Sequence, residues 1–191
     1  AVKRTAMWEV QDRTMLVVGL GGIGTEVAKR ADALGMRVIA IRNSSRRGPD
    51  YVAYVGLPDE LHKLAAQADV VVNTAPLTAK TKGLFDRRFF RSMKQGTYFI
   101  NVGRGKSVVT ADLIEALNSQ HLGGAALDVQ DPEPLPADHP LWKARNVIIT
   151  PHISAGSGRQ MQRYWLVVRE NLRRYVQGER MLNVVNLKRG Y

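Results

Sequence analysis

Apolar residues in this chain come in short continuous runs, and stretches of helical period separate them. The runs at 15–18, 36–41, 69–73, 97–101, 123–129 and 146–150 are too short for buried helices and read as strands covered on both faces. Between them, Ile23, Val27, Ala31 and Leu34 fall at i, i+4, i+8 and i+11, which predicts a helix with that stripe inward. A helix over 59–68 turns Leu61, Leu64 and Ala65 inward, and a shorter one spans 85–93. Another over 111–119 follows Thr110 as N-cap and buries Leu113, Ile114 and Leu117. A weaker apolar run at 52–55 follows the turn Gly48-Pro49-Asp50. Met161, Trp165, Val168, Leu172 and Tyr175 stripe a last helix that Gly178 ends, and 181–191 reads as an extended tail. Strands alternating with helices predict an α/β fold with a parallel sheet.

The first strand runs into Gly19-Leu20-Gly21-Gly22-Ile23-Gly24, a G-x-G-x-x-G turn between strand and helix. Each glycine answers a need. Gly19 permits the sharp exit, Gly21 keeps the backbone open to a pyrophosphate, and Gly24 lets the helix pack closely on the sheet. The helix N-terminus then offers unpaired N–H groups and a partial positive charge. With a second strand following inside one βαβ span, the fold expected is a Rossmann-type doubly wound sheet that binds a dinucleotide.

The second strand sharpens the choice of dinucleotide. An acidic residue near its end would accept from the ribose of NAD, but position 42 is Arg, 18 residues past Gly24. Arg42-Asn43-Ser44-Ser45-Arg46-Arg47 places three guanidiniums among amide and hydroxyl donors, a set suited to a dianionic 2′-phosphate. NADP is therefore expected over NAD.

Composition narrows the remaining classes. The 191 residues are 45% hydrophobic, enough for a sizeable core. Cysteine is absent, so neither disulfides nor thiolate metal sites can form, and no metal site is expected. No apolar run approaches the roughly 20 residues of a membrane span, and a cytoplasmic protein is expected. Lys and Arg number 28 against 17 Asp and Glu, a formal charge of +11. These charges are scattered through patterned segments with no aromatic platform or basic tail, which argues against nucleic acid as a partner.

Polar residues cluster where the strands end. Thr74-Ala75-Pro76-Leu77-Thr78 follows one strand, at the edge where open α/β sheets hold ligands. Arg104 stands between Gly103 and Gly105 after another. Glycine admits backbone geometries closed to other residues, and the arginine fork suits a carboxylate. Asp128 closes the next strand. Three prolines in Asp131-Pro132-Glu133-Pro134-Leu135-Pro136 exclude helix and central strand and leave a stiff loop carrying Glu133. His152 follows the last strand. His62, His121 and His139 read as ordinary structural histidines.

Taken in order, the motifs at 19–24, 75–81 (Ala-Pro-Leu-Thr-Ala-Lys-Thr), 100–105 (Ile-Asn-Val-Gly-Arg-Gly), 126–129 (Ala-Leu-Asp-Val), 131–134 (Asp-Pro-Glu-Pro), 151–155 (Pro-His-Ile-Ser-Ala) and 183–186 (Asn-Val-Val-Asn) resemble those of the D-isomer-specific 2-hydroxyacid dehydrogenases. The resemblance runs from Trp8 to near the end and covers the family's cofactor domain. It implies hydride transfer between NADPH and a small 2-oxoacid or 2-hydroxyacid. Arg104 would hold the substrate carboxylate and polarise the carbonyl, His152 would be the general acid, and Glu133 would bond the other imidazole nitrogen and favour the imidazolium. Gly19, Gly21, Gly22, Ile23, Gly24, Arg42, Asn43 and Ser44, with Thr74, Pro76, Thr81, Val102, Asp128 and Ala155 at the strand ends, make the expected cofactor contacts.

The same resemblance sets the domain organisation. Residues 1–13, with Trp8 packing on an apolar edge, read as a remnant of an interdomain segment. Residues 14–156 form the dinucleotide-binding domain, and 157–191 a helix and tail that return to the substrate domain. The N-terminal part of that domain is missing here, so the chain is expected to bind cofactor better than it catalyses. Apolar surface left by it points to a homodimer. A dinucleotide-sensing regulator of the same resemblance would need the glycine turn but not Arg104, Glu133 and His152; retention of all three argues for chemistry.

Overall fold

A computed structural model describes residues 9–187; residues 1–8, Trp8 among them, and 188–191 at the end of the tail lie outside the described residues. The described residues divide into two compact units, one ending at Pro151 and the other beginning at His152.

In the first unit the apolar runs become seven parallel strands. They are β1 (Thr14–Val18), β2 (Arg37–Ile41), β3 (Tyr54–Gly56), β4 (Val70–Asn73), β5 (Thr97–Asn101), β6 (Leu122–Leu127) and β7 (Val147–Ile149), in the sheet order β3-β2-β1-β4-β5-β6-β7. The helices are α1 (Gly22–Ala33), α2 (Leu61–Ala65), α3 (Arg87–Ser92) and α4 (Thr110–Asn118). The doubly wound α/β reading holds. Strand pleat sends alternate residues to two cores. Leu16, Val18, Ile39, Ile41, Val71 and Phe99 join α2, α3 and α4 on one face. Val17, Val38, Ala40, Val70 and Val72 join α1 on the other. Phe85, Phe89, Phe90 and Phe99 form the centre of the first core, with ring centroids 4.8–6.4 Å apart.

Three local expectations are corrected. Of the expected α1 stripe, Ala31 is buried and Val27 packs partly buried on the second core, but Ile23 and Leu34 are exposed, and Gly24 and Ala28 complete the buried side. Close approach of helix to sheet selects the smallest residues for the contact, so the stripe of largest hydrophobicity is not the stripe that is buried. Thr110 is the first residue of α4 and not its cap; its hydroxyl donates to the Asp131 carbonyl at 3.2 Å. The helix expected over 59–68 is a 3-10 turn at Pro58–Glu60 followed by the short α2, which does bury Leu61, Leu64 and Ala65.

The second unit contains α5 (Gln160–Val176) and the start of the tail. No residue of α5 is buried. Asn171 ties the tail back to the helix: its Nδ2 donates to the Leu182 carbonyl at 3.1 Å and its Oδ1 accepts from the Leu182 amide at 2.7 Å.

Candidate functional site

The strand order reverses between β1 and β4, the switch point at which open α/β sheets bind ligands beyond their carboxyl ends. The glycine turn lies there. Gly19 has a φ of 100°, and its amide and that of Leu20 donate to the Ile41 carbonyl at 3.0 and 3.3 Å, bonding the turn to the end of β2. A Cβ at Gly19 would stand 2.8 Å from the Ala75 backbone, and one at Gly24 would stand 2.1 Å from the Gly19 carbonyl oxygen. At Gly21 and Gly22 a Cβ would meet nothing within 4 Å. The first two positions are packed and the second two face open space.

That openness fits a phosphate. Gly21 caps α1 without a side chain, the first turn carries no acidic residue, and the leading amides of the helix therefore keep their donors for a ligand. Exposed Ile23 stands beside them. Thr74 braces the turn from β4, its hydroxyl donating to the Gly19 carbonyl at 2.6 Å and to the Val18 carbonyl at 3.3 Å. Thr81 closes the loop after Pro76 by donating to the Pro76 carbonyl at 2.6 Å.

The basic loop starts from the same place. Arg42 follows Ile41, and a Cβ on Gly48 would lie 3.2 Å from the Leu20 side chain, so both ends of 42–48 adjoin the glycine turn. Arg42 Nη1 donates to the Arg47 carbonyl at 2.8 Å and closes the loop on itself. Asn43 and Ser44 are exposed in it. Arg46 Nη1 meets the Tyr54 hydroxyl at 2.8 Å and Glu60 Oε2 at 2.6 Å. Glu60 also accepts from the Tyr54 hydroxyl at 2.6 Å and the Leu57 amide at 3.0 Å. Led by the Tyr54 bond, these donors bring the Glu60 carboxyl down to about 2, and the same bond raises the Tyr54 phenol.

Further along the edge, Arg104 is exposed on the turn after β5, its Nη1 donating to the Gly103 carbonyl at 2.7 Å. The flanking glycines serve close packing, which corrects the expectation of unusual backbone geometry: neither has a positive φ. A Cβ on Gly105 would lie 1.7 Å from the Gln130 carbonyl oxygen, and one on Gly103 2.7 Å from Asn73 Nδ2.

Under this turn is a buried polar cluster that the sequence reading missed. Asn73 and Asn101 are paired residues at the ends of β4 and β5, and both are fully buried. Asn73 Nδ2 donates to Asn101 Oδ1 at 2.8 Å and to Ser107 Oγ at 2.9 Å. Asn73 Oδ1 accepts from the Ala75 amide, and Asn101 Oδ1 from the Gly103 amide. Asn101 Nδ2 and Ser107 Oγ both donate to the Arg104 carbonyl, at 3.2 and 2.6 Å. The signal available was two apolar runs, each ending in Asn.

Val102 is half-buried beside this cluster, its amide donating to the Asn73 carbonyl at 3.1 Å. Asp128 is buried just beyond β6 and accepts from the Thr150 hydroxyl at 2.6 Å. Glu133 is exposed on the proline loop, whose two X-Pro bonds at Pro132 and Pro134 are cis. His152, the first residue of the second unit, is exposed with a φ of 54°, and Ala155 is exposed in the same unit. The structure thus brings the glycine turn, the basic loop and Thr74 together, and groups Val102, Arg104 and Asp128 at the ends of β5 and β6. The other histidines are structural: His62 contacts Ser92 and Phe89, His121 the Phe90 carbonyl, and His139 caps the turn at Pro140–Lys143.

The family model described as the D-isomer specific 2-hydroxyacid dehydrogenase NAD binding domain matches residues 2–154. The chain belongs to this family. Among its relatives in the 2-hydroxyacid dehydrogenase family, the human glyoxylate reductase/hydroxypyruvate reductase is 35% identical over 174 residues, 91% of this chain and 53% of that protein. The NADPH-dependent glyoxylate/hydroxypyruvate reductase of Sinorhizobium meliloti, solved with NADP and sulfate, has a TM-score of 0.89 at 33% identity and covers 97% of this chain and 59% of that one. A D-isomer specific 2-hydroxyacid dehydrogenase of Xanthobacter autotrophicus, solved with NADPH and MES, has a TM-score of 0.86 at 34% identity, with 94% and 73% covered. The chain spans about half the length of curated relatives such as the human enzyme and the hydroxypyruvate reductase of Blautia hydrogenotrophica, 53% and 54% respectively. Members of the family use NAD(P), and no helix among the described residues is long and apolar enough to cross a membrane.

Proposed function

We propose that this chain is the cofactor-binding half of an NADPH-preferring 2-hydroxyacid dehydrogenase that reduces a small 2-oxoacid of the glyoxylate or hydroxypyruvate kind. The observation that carries the reading is the open, uncapped glycine turn bonded through Ile41 to a loop with three arginines. The leading amides of α1 would hold the pyrophosphate, and Arg42, Asn43, Ser44 and the neighbouring guanidiniums the 2′-phosphate. Relatives named as glyoxylate and hydroxypyruvate reductases support the substrate class.

Bound NADPH would supply a hydride to the carbonyl carbon of the 2-oxoacid. Arg104 would grip the substrate carboxylate and draw electron density toward the carbonyl oxygen. His152 would give that oxygen its proton, which completes the 2-hydroxyacid, and Glu133 would orient the imidazole. Assembly as a homodimer is part of the same proposal, supported by the exposed Trp165 and Leu172 on α5. Sedimentation should show a mass that rises with concentration; a monomer at every concentration would remove that element.

The test of the cofactor assignment is calorimetric titration with NADPH and NADH at two salt concentrations, repeated on Arg42→Asp and Arg42→Gln. Tighter NADPH binding that weakens with salt and inverts in Arg42→Asp is the expected result. Arg42→Gln removes the charge while keeping a polar amide, so its loss of preference would report the charge itself. Absence of binding by either nucleotide would end the dinucleotide reading.

A further inference from the structure

We infer that Glu60 is a specificity-determining residue for the cofactor, acting through Arg46. This rests on the reading of the 42–47 loop as the 2′-phosphate site. An arginine on a surface loop loses rotamer freedom when a phosphate captures it, and that loss subtracts from affinity. Here Arg46 is ordered in advance. Its Nη1 is engaged by Glu60 at 2.6 Å and by the Tyr54 hydroxyl at 2.8 Å, and its guanidinium stands 6.0 Å from the centre of the Tyr54 ring. Both polar contacts use one nitrogen and about half of the Arg46 side chain is exposed, so these two contacts leave its remaining donors unused.

Glu60 is itself fixed. Its side chain is only 15% exposed, it accepts from the Leu57 amide at the start of the 3-10 turn, and Tyr54 on β3 donates to it at 2.6 Å. β3 pairs with β2 and the Arg42 amide donates to the Gly56 carbonyl at 3.0 Å, so the scaffold under Glu60 is the scaffold under the loop. The carboxylate also repels a phosphate, but its charge is already paired with Arg46 and held by Tyr54 and Leu57, and the ordering of the arginine outweighs the remainder. Glu60 thus favours the phosphorylated cofactor without touching it.

The experiment measures NADPH and NADH dissociation constants for the wild-type chain, Arg46→Ala, Glu60→Ala, Glu60→Gln, Tyr54→Phe and the Arg46→Ala/Glu60→Ala double variant. Arg46→Ala is expected to weaken NADPH roughly tenfold or more, as loss of a charge-assisted bond does, and to leave NADH unchanged. Glu60→Ala should weaken NADPH about three- to fivefold with NADH unchanged, the scale of a partly exposed ion pair. Glu60→Gln and Tyr54→Phe should do less in the same direction, and the double variant should match Arg46→Ala alone. Tighter NADPH binding in Glu60→Ala would make the carboxylate a competitor and overturn the inference. Equal losses for both nucleotides, or an additive double variant, would overturn it as well. A wild-type chain without NADPH preference overturns the loop reading and this inference together, and is seen before any variant is made.

Discussion

At the carboxyl ends of β1 and β2 the chain turns on main-chain bonds and missing side chains, whereas at the ends of β4 and β5 it turns on buried amides. The Ile41 carbonyl accepts two amides from the glycine turn, and Gly21 and Gly22 leave open space above it. Asn73, Asn101 and Ser107 fill the space under Arg104, donate to its carbonyl, and accept from the amides of Gly103 and Ala75. A turn that must admit a large anion is best made by leaving atoms out, since the donors it offers are its own amides. A turn that must present one cation in one place is best made by crowding it from below, because a satisfied buried network has few alternative arrangements.

The largest expected effect breaks the crowded end. Gly105→Ala places a methyl 1.7 Å from the Gln130 carbonyl oxygen, a backbone group that cannot step aside. Destabilisation of about 4 kcal/mol or more, or failure to fold, is expected in urea unfolding. An alanine tolerated there within about 1 kcal/mol would mean that the turn is pliant and the contrast false.

Next is the network itself. Asn73→Ala removes the amide that joins Asn101, Ser107 and the Ala75 amide, leaving buried groups short of partners. A loss of about 2–4 kcal/mol is expected, with faster hydrogen exchange at Gly103 and Ala75 and little change at Gly19 and Leu20. Loss of protection spread evenly over both ends would show that they are one cooperative structure.

Gly21→Ala inverts the pattern. Nothing lies within 4 Å of the added methyl, so stability should change by less than about 1 kcal/mol, the range of cap substitutions. NADPH binding should nevertheless fall at least about tenfold, because the methyl occupies the space the pyrophosphate needs. Full retention of affinity would move the phosphates away from this turn.

The same difference decides what could be read from the sequence. A turn made by omission is visible as glycines, and β1, β2 and β4 were visible because they are largely buried and their apolar runs are unbroken, whereas β7, expected to be covered on both faces, leaves Ile148 exposed. The face of α1 was only half visible, since a stripe chosen by hydrophobicity finds Val27 and Ala31 but adds the exposed Ile23 and Leu34, while close packing selects Gly24 and Ala28. Gly103 and Gly105 stand out in the sequence, but a residue string does not distinguish a glycine needed for φ from one needed for contact. Asn73 and Asn101 went unremarked because an Asn ending a strand looks like any polar stop. Only the register that sets them side by side across β4 and β5 gives them a function.

Acid provides the gentlest separation of the two ends. Tyr54, Leu57 and Arg46 hold the Glu60 carboxyl at about 2, below its ordinary 4.5, so Glu60 binds its proton more readily in the unfolded chain than in the folded one. What it contributes is complete above about 4.5 and is lost as the pH falls toward 2. The Asn73–Asn101–Ser107 cluster has no group that titrates in that window. Hydrogen exchange followed from pH 5 to pH 3 should therefore show protection at the Leu57 amide, which Glu60 accepts, falling ahead of protection at Gly103. Glu60→Gln should remove that pH dependence at Leu57 and leave Gly103 as it was. Parallel loss at the two amides would mean that acid unfolds the unit as a whole, and that the glycine-turn end and the arginine end do not differ in what holds them.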